Sequence, residues 1–399
     1  MFIALGVTGC IGAYKALELI RRFQQLGHEV QVAATRHALE FVTPLSLETL
    51  SRHPLVTDMF QRAGDWEIEH IALARRSEVL CVAPATANCL AKFAQGVADD
   101  FLSTLYLSTQ APVVIAPAMN QAMWRHPATR QNVDTLRARG ARIVDPGAGY
   151  LACGEEGAGR LAELPLIVEA VMAATTPQSL SGRTVLVTAG PTAEDLDPIR
   201  FITNRSSGKM GFAVARIAAR RGARVILISG PTREEADFSC ALVPVRSAAG
   251  MAEAVAAHQD EADVLVMAAA VADYTPARIS PAKIRKGPGP LNLRLVRTAD
   301  ILSRLGAERR PGQVLIGFAA ETEAIEENGR RKLLAKGADL MVANRVGPDH
   351  AFGQDWNTVT ILGREIAPVR LEDLPKDTIA ARLWDLAQSL LEGAKEGNP

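Results

Sequence analysis

The sequence has few cysteines, and none of them forms the spaced pairs that disulfide frameworks or zinc sites require. Its five cysteines are Cys10, Cys81, Cys89, Cys153 and Cys240. The number is odd and no CxxC pair occurs, so we expect neither a disulfide framework nor a structural zinc site. Reduced thiols are typical of a cytoplasmic protein, and each cysteine taken singly is typical of a small buried apolar residue.

The chain also lacks a charge imbalance and a long apolar run. Lys plus Arg and Asp plus Glu each number 44, so net charge gives no reason to expect a nucleic-acid or anionic-membrane partner. No apolar stretch approaches the roughly 20 residues of a membrane-spanning helix, and no recognisable secretory signal precedes the strand-like residues 2–7. Hydrophobic residues make up 48% and charged residues 22%, which is typical of globular domains.

Two α/β patterns follow each other along the 399 residues, a length that favours two domains. Short runs rich in Val, Ile and Ala alternate with helical patterns, as in parallel sheets that helices cover on both faces. The predicted strands are residues 3–7, 30–34, 79–83, 113–116, 184–188, 225–229, 264–268, 314–318 and 340–343. We therefore predict two doubly wound α/β domains in series, residues 1–172 and 183–399, with a polar, Pro-containing linker at 173–182.

A glycine-containing turn, GVTGCIG at residues 6–12, joins the first predicted strand to the first helix. Glycines let the backbone approach a phosphate, and a helix N-terminus offers N–H groups to an anion. The spacing does not match GxGxxG and no acidic ribose-binding residue follows, so a mononucleotide such as flavin mononucleotide (FMN) fits better than a dinucleotide. A tight turn without a ligand is the alternative.

Three further segments lie at or near predicted strand ends, where open α/β sheets bind their ligands. They are APATAN at 83–88, APAMN at 116–120 and EHIAL at 69–73. Taken singly, none decides a function, because a lone histidine is more often structural than catalytic and an Asn after a strand is often a turn residue.

Together with ACGEEGAGR at 152–160, these motifs resemble the flavin-dependent cysteine decarboxylases that act on phosphopantothenoylcysteine. The resemblance covers about residues 1–170 and implies a flavodoxin-like domain that binds FMN, in a trimer-based assembly. Oxidation of the substrate thiol to a thioaldehyde would provide the electron sink that decarboxylation requires. The resemblance implies that His70 is the base for this oxidation, that Asn120 binds the substrate carboxylate and that Cys153 donates the final proton.

The same resemblance implies a set of FMN contacts from hydroxyl groups and backbone donors. These residues are Thr8, Gly9, Thr35, Pro84, Ala85, Thr86, Asn88, Ser103 and Thr104.

The second half contains TNRSSGKMG at 203–211, which is close to a P-loop but is not one. A P-loop requires Gly where Thr203 stands and Ser or Thr where Met210 stands. The remaining Gly- and Ser-rich turn into a helix still suits an anion.

Acidic and basic residues follow later strands of this half. Asp273 lies in AAAVADY at 268–274, at the end of a predicted strand, and KIRK at 283–286 follows in a Pro- and Gly-rich segment that we expect to be a loop closing on phosphate. Lys332 and Lys336 are four residues apart, on one face of a predicted helix, and could hold a triphosphate. A solvated surface is the alternative for both basic sets.

These segments, with TAGPT, GFAAET and KGADLMVAN, resemble the phosphopantothenate–cysteine ligase family over about residues 181–370. The fused order resembles the bifunctional bacterial proteins of coenzyme A biosynthesis, whose ligase uses CTP. The resemblance implies a Rossmann-like ligase in which the carboxylate of 4′-phosphopantothenate attacks CTP and cysteine then displaces CMP from the acyl-cytidylate. The decarboxylase half would convert that product to 4′-phosphopantetheine.

The ligase resemblance also implies residue roles. Asn204 would handle the acyl-cytidylate and Lys283 would promote its formation. The implied CTP contacts are Asp273, Lys283, Ala299, Asp300, Ile301, Leu302, Phe318, Lys332 and Lys336. Mg²⁺ is expected to bridge phosphates, with no protein ligand assigned, and the ligase is expected to be dimeric.

One residue departs from the ligase pattern, because Ala193 stands where the family often has Arg after GPT. The alternative function is a flavin- or NAD(P)-binding oxidoreductase with a non-catalytic C-terminal binding module. The combination of Asn204, Lys283 and Lys336 favours an enzyme in the second half.

Overall fold

The computed structural model describes residues 1–59, 68–150, 154, 156–346 and 353–396, with side chains up to residue 392. The chain divides into two compact units, Met1–Thr176 and Pro177–Pro399. In these described ranges, every helix is too short or too polar to cross a membrane. Cysteines 10, 81, 89 and 240 are free thiols, and burial raises the pKa of Cys81 to about 12.

The first unit is built on a five-stranded parallel sheet with strand order β2-β1-β3-β4-β5, followed by an antiparallel hairpin, β6–β7. Its strands are β1 (Phe2–Val7), β2 (Glu29–Ala34), β3 (Val79–Ala85), β4 (Val113–Pro117), β5 (Arg142–Ile143), β6 (Gly147–Tyr150) and β7 (Glu156–Arg160). Its helices are α1 (Lys15–Gln25), α2 (Pro44–Ser51), α3 (Glu69–Arg76), α4 (Ala87–Gln95), α5 (Phe101–Ser108), α6 (Gln121–Arg125), α7 (Pro127–Ala138) and α8 (Leu164–Thr175).

Both faces of this sheet are buried, as its continuous apolar strands predict. In β1, Ile3 and Leu5 pack into one core cluster, whereas Phe2 and Ala4 pack into another on the opposite face. Side chains alternate between the two faces of a strand, so each face needs its own covering layer. Helix α1 provides part of one layer through buried residues at helical spacing: Ala16, Leu19, Ile20 and Phe23.

The second unit has an eight-stranded sheet with order β12-β11-β8-β13-β16-β17-β18-β19 and two small hairpins, β9–β10 and β14–β15. Its strands are β8 (Thr184–Ala189), β9 (Ala193–Asp195), β10 (Phe201–Thr203), β11 (Arg224–Ser229), β12 (Ala241–Pro244), β13 (Val264–Met267), β14 (Tyr274–Pro276), β15 (Leu295–Arg297), β16 (Val314–Glu321), β17 (Leu340–Arg345), β18 (Trp356–Gly363) and β19 (Val369–Pro375). Its helices are α9 (Lys209–Arg220), α10 (Ala248–His258), α11 (Ile301–Glu308), α12 (Ile325–Ala335) and α13 (Lys376–Glu396).

All nine predicted strands are present, and the α/β class with two parallel sheets is confirmed. The second sheet departs from the prediction at one edge, where β18 and β19 are antiparallel. Helix α13 covers this end, and the indole N–H of its buried Trp384 donates to the Val214 carbonyl at 2.9 Å. The sheet is therefore mixed, because the chain returns as a hairpin after its last parallel strand.

Candidate active sites

A cleft of about 500 Å³ lies at the carboxyl edge of the first sheet, where parallel α/β sheets bind ligands. The turn after β1, the start of α4, the loop after β4 and the hairpin β6–β7 form its walls. Its lining residues are Gly9, Cys10, Ile11, Gly12, Tyr14, Lys15, Thr86, Ala87, Ala118, Met119, Asn120, Met123, Tyr150, Gly159, Arg160 and Leu161.

The buried Thr8 hydroxyl connects two strand ends beneath this cleft. It donates to the Pro84 carbonyl at 2.8 Å and accepts the Thr86 N–H at 2.9 Å. The Thr86 hydroxyl in turn accepts the Cys89 N–H at 3.3 Å and caps α4. Thr8 therefore holds the backbone of Thr86 from beneath the cleft. Thr86 lines the cleft, whereas Thr8 does not.

Gly9 is required by close packing against the short helical turn that follows β2. A Cβ atom at this position would lie 2.5 Å from Cβ of His37 and 2.8 Å from its carbonyl carbon. A larger residue would push apart the turn after β1 and the turn after β2. The glycine thus has a packing role as well as a place in the cleft lining.

The predicted FMN contacts do not all converge on this cleft. Gly9 and Thr86 line it, whereas the others do not: Thr8, Thr35, Pro84, Ala85, Asn88, Ser103 and Thr104. Two of these hydroxyl residues instead form hydrogen bonds within the first turn of α5. The Ser103 N–H donates to the carboxylate of Asp100 at 2.8 Å, and the Thr104 hydroxyl donates to the Asp100 carbonyl at 2.8 Å.

Asn120 lies in the cleft wall at the start of α6. Its side-chain oxygen accepts the Ala122 N–H at 2.7 Å, which fixes the amide plane and makes the amide nitrogen the donor that Asn120 can present to a carboxylate. The neighbouring Met119 N–H donates to the Gly159 carbonyl at 2.9 Å. A Cβ on Gly159, whose φ is 147°, would lie 2.3 Å from the Met119 carbonyl oxygen.

The hairpin β6–β7 therefore packs directly on the Asn120 loop, and a glycine is needed at that contact. Cys153 belongs to the connection between β6 and β7 and lies outside the described residues. Its predicted role as proton donor stays a prediction.

His70 is the second residue of α3 and does not line this cleft. Its Nδ1 atom is buried and has no hydrogen-bond partner among the residues that the structure describes. Within the described part of one chain, His70 and Asn120 are therefore not brought into a common cleft.

Two cationic cleft residues were missed as binding candidates by sequence reasoning. Lys15 is the first residue of α1 and follows a short helical turn, Ile11–Tyr14, after the glycine-containing segment; Arg160 ends β7. The guanidinium of Arg160 also pairs with Glu163 at 3.0 Å. The position of Lys15 at a helix start after a glycine turn was the available signal, because such positions attract phosphate.

A second cleft, of about 650 Å³, lies in the second unit. Its lining residues are Thr188, Met251, Met267, Ala269, Val271, Asp273, Tyr274, Arg297, Thr298, Ala299, Asp300, Ile301, Leu302, Phe318, Lys332, Lys336 and Met341. Eight of the nine predicted CTP contacts are in this lining, and only Lys283 is not.

Both lysines of this cleft are paired with carboxylates. Lys332 contacts Glu321 at 2.8 Å, and Lys336 pairs with Asp300, which also caps α11 by accepting the Ser303 N–H at 3.0 Å. Burial alone would raise the pKa of Asp300, but the Lys336 ammonium and the Ser303 hydrogen bonds hold it below its usual value. Two ammonium groups thus lie in one cleft with partners that a triphosphate could replace.

The hairpin β9–β10 leads to Asn204, next to this cleft. The amide nitrogen of Asn204 donates to the carbonyls of Ala270 at 3.0 Å and Val271 at 3.2 Å, and Val271 lines the cleft. Lys283 is exposed in the segment between β14 and β15. Ala193 is buried in β9, where its N–H donates to the Arg246 carbonyl at 2.8 Å.

The segment that resembles a P-loop has a different structure. Gly208, with φ of 83°, precedes α9, and a Cβ there would lie 3.3 Å from the Cα of Gly190. Lys209 contacts Asp355 at 2.5 Å and is not in the cleft lining. In the described parts of the chain, no three His, Cys, Asp or Glu side chains are grouped to hold a metal ion.

The chain is similar to known protein families over both of its units. The model of the flavoprotein family matches residues 1–176, and that of the DNA/pantothenate metabolism flavoprotein C-terminal domain matches residues 180–390. The coenzyme A biosynthesis bifunctional protein CoaBC of Bacillus subtilis (strain 168) is 47% identical over 91% of this chain and 90% of its own length. The chain belongs to the CoaBC family.

A second member of the family and one solved structure are also similar to the chain. CoaBC of Escherichia coli (strain K12) is 40% identical over 93% of this chain and 94% of its own length. A crystal structure of the C-terminal domain of CoaBC is 40% identical and covers 54% of this chain and 99% of that domain, with a TM-score of 0.47. The protein is thus a bifunctional enzyme of coenzyme A biosynthesis with a flavoprotein decarboxylase half and a ligase half. The oxidoreductase alternative is not favoured.

Proposed function

We propose that the C-terminal unit joins cysteine to 4′-phosphopantothenate with CTP, through an acyl-cytidylate, and that the N-terminal unit decarboxylates the product with FMN. The observation that carries this proposal is the C-terminal cleft, in which eight predicted nucleotide contacts converge, two of them lysines. An oxidoreductase with a non-catalytic binding module has no need for this arrangement beside Asn204.

In the ligase reaction, the substrate carboxylate attacks the α-phosphorus of CTP and pyrophosphate leaves. The amine of cysteine then attacks the acyl carbon and CMP leaves. Lys332 and Lys336 would exchange their carboxylate partners for the triphosphate, and Lys283 would stabilise the charge that develops during the attack. Asn204, held by two backbone carbonyls at the cleft, would orient the acyl-cytidylate. Mg²⁺, bound together with CTP, would offset part of the negative charge of the triphosphate.

The N-terminal cleft fits a flavin mononucleotide in size and donor set. Its volume of about 500 Å³ is within the range of ligand sites. Gly9 and Gly12 line it beside the glycine-containing turn, and Lys15 and Arg160 offer positive charge for a phosphate. When bound, FMN supplies the reversible two-electron oxidation that makes the decarboxylation possible.

The protein's own residues would complete this second reaction. Asn120 would hold the substrate carboxylate through its amide nitrogen, His70 would take the thiol proton and Cys153 would return a proton at the end. We further propose a homo-oligomer, trimer-based in the decarboxylase half and dimeric in the ligase half, in the cytoplasm. Such an assembly would allow His70 to serve a cleft whose lining it does not join in its own chain.

A nucleotide and flavin assay tests this proposal. We expect the purified protein to carry a yellow flavin that is released as FMN, and to release CMP from CTP much faster than AMP from ATP when phosphopantothenate and cysteine are present. A colourless protein that binds no added FMN would contradict the decarboxylase half. Equal release of AMP and CMP would contradict the CTP assignment.

A further inference from the structure

Asp197 is a buried carboxylate in the turn between β9 and β10, with an exposed fraction of 1%. One carboxylate oxygen accepts the N–H groups of Ile199 and Arg200, each at 2.8 Å. The other accepts the N–H of Ile284 at 3.0 Å and lies 3.3 Å from a guanidinium nitrogen of Arg200. The first oxygen shapes its own turn, whereas the second contacts a segment 87 residues away in the sequence.

Both the N–H and the carbonyl of Ile284 form hydrogen bonds with this turn. The same Arg200 guanidinium that pairs with Asp197 also donates to the Ile284 carbonyl at 3.1 Å. A third bond, from the Ser280 N–H to the Leu196 carbonyl at 2.9 Å, holds the segment nearby. Both polar backbone groups of Ile284 are thus bonded to the β9–β10 turn, in a segment that is otherwise largely exposed and irregular.

This segment begins and ends at the nucleotide cleft. Tyr274 at the start of β14 pairs with Arg297 at the end of β15, and both line the cleft. Lys283 lies between these strands, next to Ile284. The hairpin β9–β10 also leads into Asn204, so one hairpin holds the backbone beside both residues proposed for the ligase chemistry.

We propose that Asp197, with Arg200 as its charged partner, is a positioning residue of the ligase that holds the backbone beside Lys283. The inference rests on the role proposed for Lys283. The hydrogen bond from the Ile284 N–H is the main cause that holds the pKa of Asp197 below its usual range, so the carboxylate is charged at neutral pH. A charged acceptor makes a stronger hydrogen bond than a neutral one.

Replacing Asp197 by Asn tests the positioning role. We expect Asp197→Asn to slow acyl-cytidylate formation by about 100-fold, the size of effect that a small misplacement of a catalytic group can have. The Kd for CTP should stay within a few-fold of the wild-type value. In a Lys283→Gln background, Asp197→Asn should cause little further loss, because its effect passes through Lys283.

Asp195→Asn is the matched control, since Asp195 lies on the same hairpin and pairs with Arg246, not with the Lys283 segment. It should leave the rate of acyl-cytidylate formation unchanged. A Kd for CTP within a few-fold of the wild-type value serves as the folding control for the ligase unit, to which Asp197 belongs. If Asp197→Asn does not fold, Ile284→Pro removes the N–H donor while Asp197 stays in place.

Hydrogen exchange separates this inference from the function it rests on. The amide of Ile284 should exchange faster in Asp197→Asn than in the wild type, also in the Lys283→Gln background. Unchanged exchange together with an unchanged rate would overturn the positioning role. Faster exchange with a normal rate of acyl-cytidylate formation would also overturn it. A normal rate in Lys283→Gln alone would contradict the role proposed for Lys283, whatever the exchange rate at Ile284.

Discussion

The two clefts differ in how their predicted residues are arranged. In the ligase cleft, nearly all predicted nucleotide contacts line one cavity within a single chain. In the flavoprotein cleft, only Gly9 and Thr86 of the predicted FMN contacts line the cavity, and His70 lies elsewhere. The ligase residues follow strand ends or lie on a helix face directed at the same edge, whereas several flavoprotein residues serve internal hydrogen bonds.

The difference also concerns charge. The ligase cleft contains lysine–carboxylate pairs that are complete before a nucleotide arrives. Among the described residues, those that line the flavoprotein cleft are mostly apolar or small, and its cations are Lys15 and Arg160. The proposed triphosphate co-substrate and the largely flat flavin would call for these two different kinds of site.

The largest expected effect tests whether the two clefts work independently. His70→Asn should reduce decarboxylation at least about 100-fold, because an amide cannot take a proton from the substrate thiol. Ligation by the same protein should be unchanged, since His70 belongs to the first unit. The measurement is carbon dioxide release from phosphopantothenoylcysteine beside CMP release from CTP.

The control for this variant is His53→Asn, in the same unit but near Glu29 and outside the cleft lining. Parallel loss of both activities in His70→Asn would contradict the independence of the clefts.

A smaller effect is expected from Lys336→Gln in the ligase cleft. Loss of one ammonium group from the triphosphate should raise the Kd for CTP about 10-fold, or about 1.4 kcal/mol. Arg331→Gln is the control, because Arg331 lies on the same helix, bonds to Asn328 and does not line the cleft. Calorimetric titration measures the two values. Equal affinity of Lys336→Gln and the wild type for CTP would contradict the assignment of Lys336 as a nucleotide contact.

The smallest effect concerns the ion pair of Asp300 and Lys336 in the protein without nucleotide. Asp300→Asn removes the charge but keeps a good cap for α11, so the difference in unfolding free energy at pH 7 should be below about 1 kcal/mol. Because the pKa of Asp300 is lowered in the folded protein, its stabilising effect is complete above the ordinary value near 3.9 and is lost as the pH falls through the lower, folded value.

Thermal unfolding of the wild type and Asp300→Asn between pH 7 and pH 3 measures this difference. A stability difference that grows as the pH falls would contradict the lowered pKa.

Sequence patterns predict the central strands well because these strands are apolar on both faces and bounded by turns. In the second cleft, the pattern indicates Asp273, Lys332 and Lys336, whereas the family resemblance implies the other predicted contacts that line it. Residues whose partners lie far away in the sequence are not predictable in this way. Thr8 forms a hydrogen bond with Pro84, and Asp197 forms one with Ile284. No local sequence pattern predicts either hydrogen bond.

Strands β18 and β19, at one end of the second sheet, show a second limit. Their burial alternates along part of each strand and their pairing is antiparallel, whereas the continuous apolar runs of the other strands were the signal used for prediction. Lys15 and Arg160 were not predicted to line the flavoprotein cleft, because a charged residue near a glycine turn is also common on ordinary protein surfaces.

The most direct test of two successive reactions in one chain is a time course with 4′-phosphopantothenate, cysteine and CTP as the only substrates. We predict that CMP appears first and that carbon dioxide follows after a lag, in equal final amount, with 4′-phosphopantetheine as the product. Carbon dioxide release that begins without CTP, or CMP release that is never followed by carbon dioxide, would contradict the proposed sequence.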